Sequence, residues 1–216
     1  MTSPSPLLCD TYYHIYNRGV NRENIFVEER NYEYFLQLYE KHIQPVAETF
    51  AYCLLKNHFH VLVKTRSEEE IALVNKSLIS KSLRVSETLR DSTTITGYPS
   101  KKFSDFFNAY AKSINKAYNR VGSLFQHPFG RVPVTSDRQF WNVIAYIHQN
   151  PQKHGFVKDF RDWKHSSYDI LVSEESTFLQ RTEVLDWFGT KQEYLNLHQE
   201  WMLEAQSKWF AGDDYD

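Results

Sequence analysis

The chain has 216 residues, 41% of them hydrophobic, and a net charge of −2, which suits one domain with a substantial core and room for an appendage. No stretch approaches the roughly 20 uninterrupted apolar residues that a membrane span needs. Met1 to Pro6 lack the basic cluster and apolar run of a secretory signal, and Cys9 and Cys53 are too few and too far apart for a disulfide framework, so a reducing cytoplasm is expected.

The elements follow in chain order. Asp10 to Asn17 is aromatic and β-branched and predicts a strand closed by Arg18-Gly19. Glu28 to His42 carries Tyr32, Phe35, Leu36, Leu38 and Tyr39 at helical spacing. Thr49 to Leu55 and Phe59 to Lys64 predict a hairpin that turns at Lys56-Asn57. Residues 67–102 predict an insertion, a helical stretch over Ile71 to Leu89 and then a flexible loop rich in Ser, Thr, Gly and Pro. Phe103 to Tyr118 resumes helical spacing, and Phe125 to Pro133 leads into a short strand near Arg131 to Val134. Ser136 or Asp137 can cap a helix that runs to Asn150 and is ended by Pro151. This order predicts an α+β, ferredoxin-like antiparallel sheet with helices on one face, over residues 8–172. Residues 173–216 predict an acidic, helical C-terminal extension. Residues 174–216 hold ten acids and three bases, which leaves +5 on residues 1–173. That basic balance keeps a nucleic-acid partner in play despite the net charge.

The chemistry is concentrated in two short segments. In His58-Phe59-His60 the strand period places both imidazoles on one face and Phe59 in the core, which makes half of a metal site. In Tyr146-Ile147-His148-Gln149-Asn150-Pro151, Tyr146 and Asn150 are four residues apart and share a helical face. Two imidazoles, an amide oxygen and a phenol are the parts of metal-assisted phosphoryl transfer to tyrosine, with Mg²⁺ or Mn²⁺ completing its shell from water and phosphate oxygens. The bland alternative is a pair of half-buried strand histidines beside one of 14 tyrosines. His148 points away from Tyr146 and reads as a surface residue, with a phosphate contact as the alternative. An unrelated metal hydrolase would need His14 or Asp10 as a third ligand, and neither has convincing spacing.

His58-Phe59-His60 resembles the histidine–hydrophobic–histidine (HUH) motif, and Tyr146 to Pro151 the tyrosine helix, of single-tyrosine HUH transposases. Tyr13 to Gly19, Ile25-Phe26, Leu124-Phe125-Gln126, Phe129, Arg131 and Gly155 are similar to the REP-associated tyrosine transposase branch, over about Tyr12 to Tyr168. The resemblance implies a ferredoxin-like fold often used as a homodimer, acting on hairpin-bearing single-stranded DNA of the repetitive extragenic palindrome (REP) type. It implies attack by Tyr146 on a backbone phosphate, giving a 5′-phosphotyrosine and a free 3′-OH, with His58, His60 and Asn150 as metal ligands. Tyr13, His14, Asn17 and Arg18 are the implied contacts to bases at the hairpin foot, and Arg120 and Arg131 are further phosphate candidates. A regulator of the same fold that binds hairpins without cutting them is the alternative. Retention of His58, His60, Tyr146 and Asn150 argues against it.

Overall fold

The computed structural model describes residues 5–81 and 97–209. Its core is β1 (Tyr12–Arg18), α1 (Glu29–Ile43), β2 (Ala47–Leu55), β3 (His58–Thr65), α2 (Glu68–Lys81), α3 (Tyr98–Ala117), β4 (Gly130–Val134) and α4 (Asp137–Lys153). The four strands form one sheet in the order β2-β3-β1-β4, with every neighbouring pair antiparallel. This is the ferredoxin-like order. α5 (Tyr168–Val172), α6 (Arg181–Phe188) and α7 (Lys191–Trp209) follow.

The two sheet faces are sorted by the strand period. Ile15 on β1 and Phe59, Val61 and Val63 on β3 are buried. Phe59 meets Phe35 of α1 at 5.1 Å and Phe107 of α3 at 5.8 Å between ring centroids. Phe106 and Tyr110 of α3 pack edge-on against Phe35. These aromatic contacts hold the α1/α3 pair on one face, as expected. α4 lies on the opposite face, an addition to the one-sided arrangement read from the sequence. There Phe140 packs edge-on against Tyr12 and Phe50. The hydrophobic stripe of α4 had no sequence neighbour to assign it to a face; the pairing of Tyr12, His14, Tyr16, His58 and His60 on one side of the sheet does so.

Two boundaries differ from the sequence reading. α3 begins at Tyr98 rather than Phe103, because Pro99 sits in its first turn, where its missing N–H removes no helical bond. α4 continues through Pro151 to Lys153, so the proline costs a bond only near the helix end. The helical part of the insertion is α2; residues 82–96 of the insertion and 210–216 of the acidic tail lie outside the described residues. Among the described residues no helix is long and apolar enough to cross a membrane.

α6 and α7 pack on the outer side of α4. Trp141 donates its indole N–H to the Trp187 carbonyl at 3.2 Å, and the Phe140 and Trp187 rings lie 4.3 Å apart. Tyr12 reaches Glu183 of α6 at 2.8 Å. The helix that carries Tyr146 is thus gripped between the sheet and the C-terminal helices.

Candidate active site

β3 presents His58 and His60 side by side, and both are buried. The α4 face that meets them carries Tyr146 and, one turn on, Asn150. His58 Nε2 lies 3.1 Å from Asn150 Oδ1, and its Nδ1 lies 2.7 Å from Asn57 Oδ1 in the hairpin turn. The Tyr146 ring stands perpendicular to His60 with centroids 5.4 Å apart. All four groups are brought together within this one chain. Burial, reinforced by neighbouring His14, His58, His154 and Lys153, pushes the His60 pKa well below its ordinary value, so that ring is neutral at pH 7.

The donor set fits a divalent cation. With both amides oriented this way, His58 gives its Nδ1–H to Asn57, and its Nε2 lone pair faces the Asn150 carbonyl oxygen. The two atoms meet at 3.1 Å, and the proton between them is set by the His58 tautomer and the Asn150 amide orientation. His60 Nε2 is buried with no hydrogen-bond partner. A cation held by His58, His60 and Asn150 would give His60 Nε2 a partner. Among the described residues no group of three or more His, Cys, Asp or Glu is arranged for a metal, and the oxygen beside His58 Nε2 is that of the Asn150 amide. Asp10, drafted above for a hydrolase, is paired with Lys64 at 3.0 Å instead.

The residues expected to meet DNA divide sharply. His14 is at the centre, its Nε2 3.0 Å from His60 Nδ1. Arg18 lines a cleft of about 210 Å³ together with Asn17, His58, His60 and Gln126, and its Nε is buried without a partner. Asn17 is itself buried, with Oδ1 accepting from the Arg18 N–H at 2.8 Å. Tyr13 is not at the site. It points to the α1/α3 side, 4% exposed, and its hydroxyl accepts from the Leu8 N–H. Arg131 pairs in register with Ile15 and so shares that far side, stacked 3.7 Å over Phe129 and bonded to the Ser5 carbonyl. Arg120 is held by Glu23 and Asn115 at the end of α3 and lines neither cleft described here.

His148 is also corrected. It is fully buried, bonded to His198 of α7 and to Ser167. Gln149 likewise turns to α7, donating to the His198 carbonyl. This leaves Asn150, not Gln149, on the face of the histidine pair.

Three residues at the site were missed. Lys153 places its ammonium 5.2 Å from the Tyr146 ring centroid; its spacing of seven from Tyr146 was a readable signal. His154, at the end of α4, brings its ring within 4.8 Å of His58. Tyr16 stands beside His60 at 5.7 Å and lines both the smaller cleft and one of about 410 Å³ shared with His14, Val132, Asn142 and Tyr146. The alternation of β1 puts Tyr16 on the His14 side, which the sequence could have told. The Tyr16 ring rests on Gly130, where an added Cβ would lie 2.2 Å from the ring. Gly130→Ala is therefore expected to destabilise the protein by about 1–3 kcal/mol through overpacking. Combining it with Tyr16→Ala should recover part of that loss in urea midpoints; strictly additive losses would show that the ring is not what Gly130 accommodates.

No family model matches the chain. A Haemophilus influenzae protein named as a REP-associated tyrosine transposase is 25% identical over 128 residues, which are 59% of this chain and 62% of that protein. The match therefore spans less than two thirds of that relative. A solved structure of a REP-associated tyrosine transposase bound to a REP hairpin shares the fold at a TM-score of 0.55 and 16% identity, covering 81% of this chain and 86% of the other. In sequence and in fold, then, this chain is similar to REP-associated tyrosine transposases.

Proposed function

We propose that this protein is a metal-dependent transposase that nicks and rejoins hairpin-bearing single-stranded DNA through Tyr146. The observation that carries the reading is the convergence, within one chain, of Tyr146 and Asn150 from α4 on His58 and His60 from β3. The relatives named above are the reason to take REP-type hairpins as the substrate.

The Tyr146 oxygen attacks a backbone phosphorus. The Tyr–O–P bond forms, the bond from phosphorus to the 3′ oxygen breaks, the tyrosine gives up its proton, and the departing oxygen gains one to become a free 3′-OH. Mg²⁺ or Mn²⁺, when held by His58, His60 and Asn150, supplies a Lewis acid for the scissile phosphate. Lys153 beside the Tyr146 ring and Arg18 in the cleft with His58 and His60 offer positive charge to the DNA backbone around that phosphate. α4, fixed between sheet and α7, holds the phenol in place for the return step, in which a 3′-OH attacks the phosphotyrosine and restores the phosphodiester.

The test is a denaturing gel of the protein with labelled single-stranded DNA carrying the palindromes that flank its own gene, with Mg²⁺ or Mn²⁺. A covalent protein–DNA band that requires the metal is expected. A native-gel shift with no adduct under either metal would replace this reading with that of a hairpin-binding regulator.

A further inference from the structure

His60 offers its two ring nitrogens to different surroundings. Nε2 faces the site and has no hydrogen-bond partner. Nδ1 lies 3.0 Å from His14 Nε2, and the two rings stack with centroids 5.1 Å and planes 25° apart. The contact is fixed by register, since His14 neighbours Tyr16, the direct cross-strand partner of His60.

A single proton can occupy that N···N contact. If it sits on His14, His60 must carry its own proton on Nε2, aimed into the site with nothing to accept it and no lone pair for a cation. If it sits on His60 Nδ1, Nε2 keeps its lone pair for a cation, on a ring whose centroid lies 5.3 Å from that of His58. We propose that His14 is a positioning residue: by accepting the Nδ1–H of His60, it holds His60 in the tautomer whose Nε2 lone pair points into the site. This rests on the reading of His58, His60 and Asn150 as metal ligands. Asn57 does the same for His58 from the hairpin turn, so each imidazole is fixed from behind by a neutral acceptor. Such supporting contacts typically change metal affinity by about 10–100-fold when removed. The assignment also moves His14 from a DNA contact to a support for the metal site, since its Nε2 is taken up by His60.

Two substitutions separate this role from mere packing. In His14→Gln the amide oxygen reaches the position of Nε2 and still accepts. In His14→Phe the stacked ring remains but the acceptor is gone. Nitrogen-15 spectra of the histidine rings, taken on metal-free protein at pH 7, should show His60 protonated on Nδ1 in wild type and in His14→Gln. In His14→Phe the Nε2–H form should gain most of the population. Titration with Mn²⁺ alone should show His14→Phe weakened by about 10-fold or more, and His14→Gln within about 3-fold of wild type. An Nε2–H tautomer in the wild type would overturn the proposal, as would a His14→Phe protein unchanged in both tautomer and Mn²⁺ affinity. Should His14→Phe fail to fold, the wild-type and His14→Gln spectra decide the matter alone. Wild-type protein that keeps the Nδ1–H tautomer yet binds no Mn²⁺ would sink the ligand reading while leaving the role of His14 intact.

Discussion

Tyr146→Phe is expected to abolish the covalent protein–DNA adduct, lowering cleavage by at least about 10⁴-fold, the scale on which removing a nucleophile acts. Hairpin binding should stay within about 2-fold, because the change deletes one hydroxyl and leaves the phosphate-facing charges in place. The ring contacts that seat Tyr146 against His60, His14 and Lys153 are all available to phenylalanine, so the site keeps its shape and the comparison isolates the oxygen. Undiminished nicking by the variant would remove Tyr146 as nucleophile. The geometry names the residue to examine next: Tyr16 stands on the other side of His60, at 5.7 Å against 5.4 Å for Tyr146. A residual adduct that survives Tyr146→Phe and vanishes in the double variant with Tyr16→Phe would reassign the chemistry to β1. Adduct loss in Tyr146→Phe with the fold intact would confirm α4 as its source.

The site's two halves were legible for a simple reason. Each rests on a local period: two for His58 and His60 on a strand, and four for Tyr146 and Asn150 on a helix. Features that depend on register were not legible. Arg131 lies on a five-residue edge strand whose sequence, Gly130-Arg131-Val132-Pro133-Val134, has no clear apolar alternation, so its facing could not be read before its pairing with Ile15 was known. Tyr13 is a different case. Its neighbours alternate clearly, and Ile15 already marked its side as the core side. His148 was misread because its partners come from far along the chain: Ser167 follows it by 19 residues and His198 by 50. Nothing near His148 in the sequence signals a buried pair. The C-terminal extension, read as an acidic appendage, turns out to supply the outer half of the cradle in which α4 lies.

That cradle contains a continuous run of hydrogen bonds whose donors and acceptors are all fixed. The Tyr52 N–H of β2 donates to Ser167 Oγ at 2.8 Å, and the Ser167 hydroxyl donates to His148 Nε2 at 2.9 Å. His148 Nδ1–H donates to His198 Nε2 at 2.9 Å, and His198 Nδ1–H to the Tyr194 carbonyl at 2.8 Å. Every link requires both histidines to be neutral. Burial lowers the His198 pKa to about 4 and, with His198 beside it, that of His148 well below the ordinary value. In the unfolded chain both titrate near 6.5. The native state therefore binds fewer protons than the unfolded state between these values, and stability falls with falling pH. The contribution is fully present above about pH 6.5 and is lost as pH drops toward about 4, at up to about 1.4 kcal/mol per pH unit for each ring. For His198 alone the full loss is about 3 kcal/mol. His198→Gln isolates the effect, since its amide oxygen can still accept from His148 but does not titrate. Urea unfolding in EDTA at pH 7 and pH 5 should show the variant within about 1 kcal/mol of wild type at pH 7. It should then lose less stability on acidification, by about 1–2 kcal/mol over that interval. Parallel pH dependences would mean that His198 takes up its proton in the native protein as readily as in the unfolded chain, and the donor order through Ser167, His148 and His198 would have to be redrawn.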